Sequence, residues 1–111
     1  MINFNKLWKT KFNYSKIKRE IKELNFNEIN YSEYFIIDIR GRQEFMEGHL
    51  NGSINIPLFD LKRNISKYIS NYNKKILVYC KSGIRSKKAV YILENLGYTN
   101  VYNLKGGLDN I

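Results

Sequence analysis

The chain has 111 residues, of which 43% are apolar and 14% aromatic, enough for one domain to bury a core without disulfides or metals. Its formal net charge is +9, but residues 1–24 hold seven Lys and Arg against two Glu, so more than half of the excess sits in the first fifth. No apolar run approaches the ~20 residues of a membrane span, and no apolar stretch with a small-residue cleavage site follows the first lysines. The lone cysteine, Cys80, excludes an intramolecular disulfide framework and a cysteine-based zinc site, and sets the expected location as a reducing cytoplasm. Charge of this kind favours solubility and loose association with anions; no RNA- or DNA-reading motif accompanies it, so nucleic acid is not an expected partner.

Residues 1–16 contain no acidic residue, and Phe4, Leu7, Trp8 and Phe12 recur at helical spacing with Lys6, Lys9 and Lys11 between them. This reads as a basic amphipathic extension. Its apolar face is expected to pack on the domain's own sheet; the alternative is contact with a membrane surface. A short strand is expected at about 20–24, then a short helix at about 26–32 opened by Asn25 and its capping Glu28. The alternative there is one helix from Ser15 to Leu24.

Phe35-Ile36-Ile37-Asp38-Ile39 has the apolar, β-branched look of a buried parallel strand. Ser53-Ile54-Asn55-Ile56 reads as another strand, stopped by Pro57. Leu61, Ile65, Tyr68 and Ile69 mark a helix. Ile76-Leu77-Val78-Tyr79 is a third buried strand, running directly into Cys80. Ala89, Val90, Leu93 and Leu96 mark the next helix, with Gly97 placed as its left-handed cap. Val101-Tyr102-Asn103-Leu104 is the last strand, broken by Gly106-Gly107. The alternation implies an α/β fold, one domain with a mostly parallel sheet.

The chemistry concentrates in Tyr79-Cys80-Lys81-Ser82-Gly83-Ile84-Arg85-Ser86. A cysteine at the carboxyl end of a buried parallel strand, with a helix expected six residues later, stands where such sheets bind ligands. The intervening loop can wrap its N–H groups, together with the helix N-terminus, around one anion. Gly83 permits the tight path, and Lys81 and Arg85 add positive charge. The thiol of Cys80 is therefore expected to be ionised and nucleophilic rather than a passive core cysteine. Four residues separate Cys80 from Arg85, whereas tyrosine-phosphatase-like loops place five there to enclose phosphate, and no general-acid aspartate is evident. His49, the only histidine, is expected to tie loops together rather than act as a base. Asp38 and Arg40 stand at another strand end, where they either border the pocket or support the turn through a pair of Arg40 with Asp38 or Glu44. Lys87 and Lys88 read as a solvated helix face.

These motifs resemble the rhodanese-like family. The loop from Cys80 to Ser86 matches its C-x-x-G-x-R-S. Ile37-Asp38-Ile39-Arg40, Glu44-Phe45, Gly48-His49-Leu50, Gly52-Ser53 and Asn55-Ile56-Pro57 match its upstream motif in order and spacing. Val101-Tyr102-Asn103-Leu104-Lys105-Gly106-Gly107 matches the closing strand and double glycine. The likeness spans about residues 20–108. A tryptophan that many members carry after the double glycine is not found in Asp109-Asn110-Ile111. The resemblance implies a single domain over residues 20–111, with about five mostly parallel strands and helices on both faces. It implies sulfur transfer through a persulfide on Cys80, with residues 81–86 (Lys81, Ser82, Gly83, Ile84, Arg85 and Ser86) as the anion-binding loop. It needs no metal and no organic cofactor. The implied partners are a small anionic sulfur donor such as thiosulfate, a thiol or cyanide acceptor, and a sulfur-relay protein. The competing reading is a non-catalytic interaction or persulfide-carrier module on the same fold.

Overall fold

The computed structural model describes residues 20–111; the amphipathic stretch expected at residues 1–16 lies outside them. Five strands, β1 (Glu23–Leu24), β2 (Phe35–Asp38), β3 (Ile54–Asn55), β4 (Ile76–Tyr79) and β5 (Val101–Leu104), form one sheet in the order β1-β5-β4-β2-β3. Every neighbouring pair is parallel. The central strand β4 is buried along its whole length. That explains its run of Ile, Leu, Val and Tyr, because both of its faces are covered.

Side chains alternate across the sheet. Ile37, Ile76, Val78, Cys80 and Val101 face one way, into a core shared with Leu61, Ile65, Ala89, Val90 and Leu93. Those last residues come from the two longer helices, α2 (Leu58–Asn64) and α3 (Arg85–Asn95), and, for Ile65, from the 3-10 turn that follows α2, while α1 (Arg42–Glu47) follows β2. Ile36, Leu77, Tyr79 and Leu104 face the other way, against Leu50, Ile29 and Leu108. Leu50 comes from a turn, Leu108 from the 3-10 turn Gly107–Asn110, and Ile29 caps the 3-10 turn Phe26–Glu28.

Several boundaries differ from the sequence pattern, among them the strand expected at about 20–24, which is Glu23–Leu24. The helix expected at about 26–32 is the 3-10 turn Phe26–Glu28, with the Glu28 carboxylate accepting from the Asn25 amide at 2.8 Å. Helix α2 tightens into the 3-10 turn Ile65–Lys67, which breaks the α-helical spacing and leaves Tyr68 half exposed while Ile69 stays buried. Gly97, at φ 107°, ends α3 as expected. The Tyr98 amide donates to the Leu93 carbonyl at 3.1 Å and the Gly97 amide to Glu94 at 3.0 Å, the paired bonds of a Schellman cap.

Candidate active site

Cys80 follows β4 at the carboxyl end of the sheet, on the face that carries α2 and α3, and is wholly buried. The chain turns back on itself at Gly83, whose φ of 89° suits glycine. This turn aims the Gly83 amide at the sulfur, at 3.0 Å. Helix α3 starts at Arg85, one residue earlier than expected, and its N-cap residue, Ile84, makes no side-chain cap bond. Its second residue, Ser86, is fully buried and sets its hydroxyl 3.3 Å from Sγ.

Burial alone would push the Cys80 thiol up. Hydrogen bonds from the Ser86 hydroxyl and from the backbone of Ser86, Gly83 and Ser82 outweigh it and hold the thiol below its ordinary value. Oriented amides and one hydroxyl therefore stabilise the thiolate, by the same means that a helix N-terminus and its loop bind any anion.

The positive side chains of the loop sit differently from the sequence picture. Lys81 Nζ pairs with Asp109 Oδ1 at 2.9 Å. Arg85 makes a two-pronged pair with Glu44, at 2.9 and 3.0 Å. Glu44 is thus the partner of Arg85, not of Arg40. Its carboxyl is pulled down to about 2, chiefly by the Arg85 hydrogen bond. Ile84 is exposed at the outer edge of the loop.

The loop is held from behind by β5 and the 3-10 turn Gly107–Asn110 that follows it. The Leu108 amide donates to the Cys80 carbonyl at 3.1 Å, and the Asp109 amide to Lys81 at 2.8 Å. Gly107 lets the two segments meet: its φ is 62°, and a Cβ there would stand 2.5 Å from the Lys81 carbonyl oxygen. Asn103, buried in β5, donates from Nδ2 to the Gly83 carbonyl at 3.2 Å and to Glu23 at 3.0 Å. The one sign of Asn103 in the sequence is an amide side chain in the middle of an otherwise apolar strand.

Asp38 and Arg40 do not meet Cys80. By strand alternation Asp38 lies on the Tyr79 face of the sheet, opposite the thiol. The Arg40 guanidinium grips Asp38, with Nη2 to Oδ2 at 2.8 Å, and donates to the Gly48 carbonyl at 2.6 Å. Both residues are buried, and the pair fixes the turn that follows β2. Tyr79 extends that network, its hydroxyl accepting from the Leu50 amide at 3.0 Å and lying 3.0 Å from Ser53 Oγ. His49 is exposed, stacks on Phe45 at 3.6 Å and lies 2.8 Å from the Phe45 carbonyl. Both contacts run to α1, four residues earlier, so His49 folds onto its own segment instead of tying two loops together.

A family model of the rhodanese-like domain matches residues 14–111. The chain belongs to the rhodanese-like family. It is 40% identical over 75 residues to the thiosulfate sulfurtransferase PspE of Escherichia coli K12, an alignment covering 68% of this chain and 71% of that protein. It is 32% identical over 91 residues to the tRNA uridine(34) hydroxylase of Buchnera aphidicola, where the match covers 78% of this chain and only 29% of the enzyme. Among solved structures, a rhodanese with anions from E. coli superposes with a TM-score of 0.66 at 38% identity, over 70% of this chain and 91% of that one. The five-stranded parallel sheet of this rhodanese-like domain is thus the fold of its relatives. Among its described residues, no helix is long and apolar enough to cross a membrane.

Proposed function

We propose that this domain is a sulfurtransferase that carries sulfane sulfur on Cys80. The observation that carries the reading is the amide and hydroxyl cradle around the buried sulfur, at 3.0 Å from Gly83 N and 3.3 Å from Ser86 Oγ. The Cys80 thiolate attacks the outer sulfur of thiosulfate, the S–S bond breaks, and sulfite leaves with the electron pair. The resulting persulfide keeps its negative charge within reach of the same donors that held the thiolate. An acceptor thiolate or cyanide then attacks the outer sulfur, and Cys80 departs as thiolate, ready for another turn. Likeness to a thiosulfate sulfurtransferase supports this donor class, and a lone free thiol fits a reducing cytoplasm.

Intact mass after thiosulfate treatment tests the proposal. The protein should gain one sulfur atom, Cys80→Ser should gain none, and cyanide should remove it again. A Cys80 that alkylates readily yet never gains sulfur would overturn the reading. The match to a minor part of a larger tRNA-modifying enzyme favours, as the second reading, a carrier or interaction module. Such a module would be loaded by a partner and would fail to turn over with thiosulfate and cyanide.

A further inference from the structure

Strand β5 sets one amide side chain between the edge of the sheet and the cysteine loop. Asn103 is in register with Val78 of β4 and with Glu23 of β1, so its side chain shares the sheet face of Val78 and Cys80. It is fully buried, whereas Glu23 on the edge strand is exposed. Asn103 Nδ2 reaches the Gly83 carbonyl at 3.2 Å and the Glu23 carboxylate at 3.0 Å. Both neighbours are acceptors, so the nitrogen of the amide has to face them. Oδ1 is thereby turned away, and meets no donor among the described residues. Packing alone would be served as well by an apolar side chain. The other end of the same glycine touches the sulfur: the Gly83 amide donates to Cys80 Sγ at 3.0 Å. Glycine has the most permissive backbone of any residue and no side chain to anchor it, so the direction of its N–H depends on what its carbonyl is bonded to.

We propose that Asn103 is a positioning residue for the Cys80 thiolate, and that Glu23 sets its orientation. The edge-strand carboxylate fixes the amide, the amide fixes the Gly83 carbonyl, and the Gly83 N–H stays on the sulfur. The chain of contacts starts two strands away from β4 and touches no reacting atom until its last link. It rests on the sulfurtransferase reading for the use made of the thiolate, while the thiolate itself is read without any sulfur transfer. Positioning and plain charge give opposite signs at Glu23. A carboxylate on this face repels a thiolate, so by charge alone its removal favours ionisation of Cys80. By positioning, its removal frees the amide, slackens the Gly83 donor and disfavours ionisation.

The test is iodoacetamide alkylation of Cys80 against pH in Asn103→Leu, Glu23→Ala and Glu23→Gln. The high-pH plateau reports access to the buried sulfur, and the rate relative to that plateau reports ionisation. Leucine keeps the volume of Asn103 and removes its donor. Below the midpoint of the unaltered protein, the relative rate should fall about threefold in Asn103→Leu, as for a hydrogen bond weakened and not lost. It should fall about twofold in Glu23→Ala and recover in Glu23→Gln, which keeps an acceptor for Nδ2 without the charge. An Asn103→Leu protein that melts earlier but titrates as before would overturn the proposal and leave Asn103 a purely structural residue. So would a relative rate that rises equally in both Glu23 variants, the outcome of charge alone. If Asn103→Leu does not fold, the two exposed Glu23 substitutions decide by sign. An unaltered protein that shows these alkylation shifts yet gains no sulfur from thiosulfate would sink the sulfurtransferase reading alone.

Discussion

Ser86→Ala removes the one side-chain hydroxyl that touches the sulfur, at 3.3 Å. The residue is fully buried, and alanine is smaller by that oxygen alone, so packing changes little. A hydrogen bond to a charged group contributes ~1.5–3 kcal/mol, and one pKa unit corresponds to ~1.4 kcal/mol. Taking the lower figure, we expect the Cys80 midpoint to rise and alkylation below it to slow about tenfold. The backbone donors of Ser82, Gly83 and Ser86 remain in place, so part of the thiolate stabilisation should survive. The assay is the rate of iodoacetamide alkylation against pH, for the unaltered protein, Ser86→Ala and Arg85→Gln. Arg85 makes no hydrogen bond to the sulfur among its described contacts, so its replacement should move the midpoint less than Ser86→Ala does. A midpoint that ignores Ser86→Ala but climbs with Arg85→Gln would refute the argument that donors, rather than cations, hold the thiolate.

Asp38→Ala should destabilise the domain by ~3–5 kcal/mol in urea denaturation, because it strands the buried Arg40 guanidinium without its counter-charge; a loss below ~1 kcal/mol would show that Arg40 simply turns to water. Gly107→Ala should cost clearly more than Gly52→Ala. Both positions have positive φ, but an added Cβ meets the Lys81 and Cys80 carbonyls at Gly107 and nothing within 4 Å at Gly52; the αL conformation alone costs about 1–2 kcal/mol, and matching thermal midpoints would contradict the close approach. Glu44 titrates at about 2 when folded, against an ordinary 4.5. Its pairing therefore stabilises the fold fully above pH 4.5 and loses that effect as the pH falls toward 2. Stability curves of the unaltered protein and Glu44→Gln should converge across that window, and parallel curves would show that the pair contributes nothing.

Much of this was legible from residues alone, for identifiable reasons. The buried strands announced themselves because a parallel sheet covered on both faces demands unbroken β-branched and apolar runs, as at Ile36-Ile37 and Ile76-Leu77-Val78. Gly97 announced the end of α3, because a Schellman cap needs a left-handed residue there. Cys80 stood out because a strand end, a glycine and a helix start meet within six residues. Partnerships across long sequence separations were not legible. Nothing local distinguishes Arg40 from Arg85 as the mate of Glu44; the choice is made where α1 lies beside the start of α3, 41 residues on. The sequence also suggested that Lys81 and Arg85 activate the thiol by their charge. Each has found a carboxylate instead, and the Ser86 hydroxyl together with backbone amides carries the stabilisation. Tyr68 shows the limit of periodicity: a change from α to 3-10 winding rotates a side chain out of a face that the spacing had assigned to it.

The tether from Gly107 and Asn103 to the cysteine loop has a consequence in time. Strand β1 pairs only with β5, and the carbonyls of Cys80, Lys81 and Gly83 take their donors from residues 103–109. In a chain emerging amino end first, the thiol is made well before the segment that shapes its surroundings. Until residues 103–109 dock, the loop carrying the Ser82, Gly83 and Ser86 donors lacks its outer supports, and Cys80 is expected to react more like an ordinary cysteine. Reactivity is then expected to be acquired with the closing contacts, which would shelter a half-made domain from taking up sulfur or oxidant at a site unable to pass it on. Pulsed alkylation during refolding would show this as a Cys80 rate that accelerates with, and not before, the protection of the β5 amides.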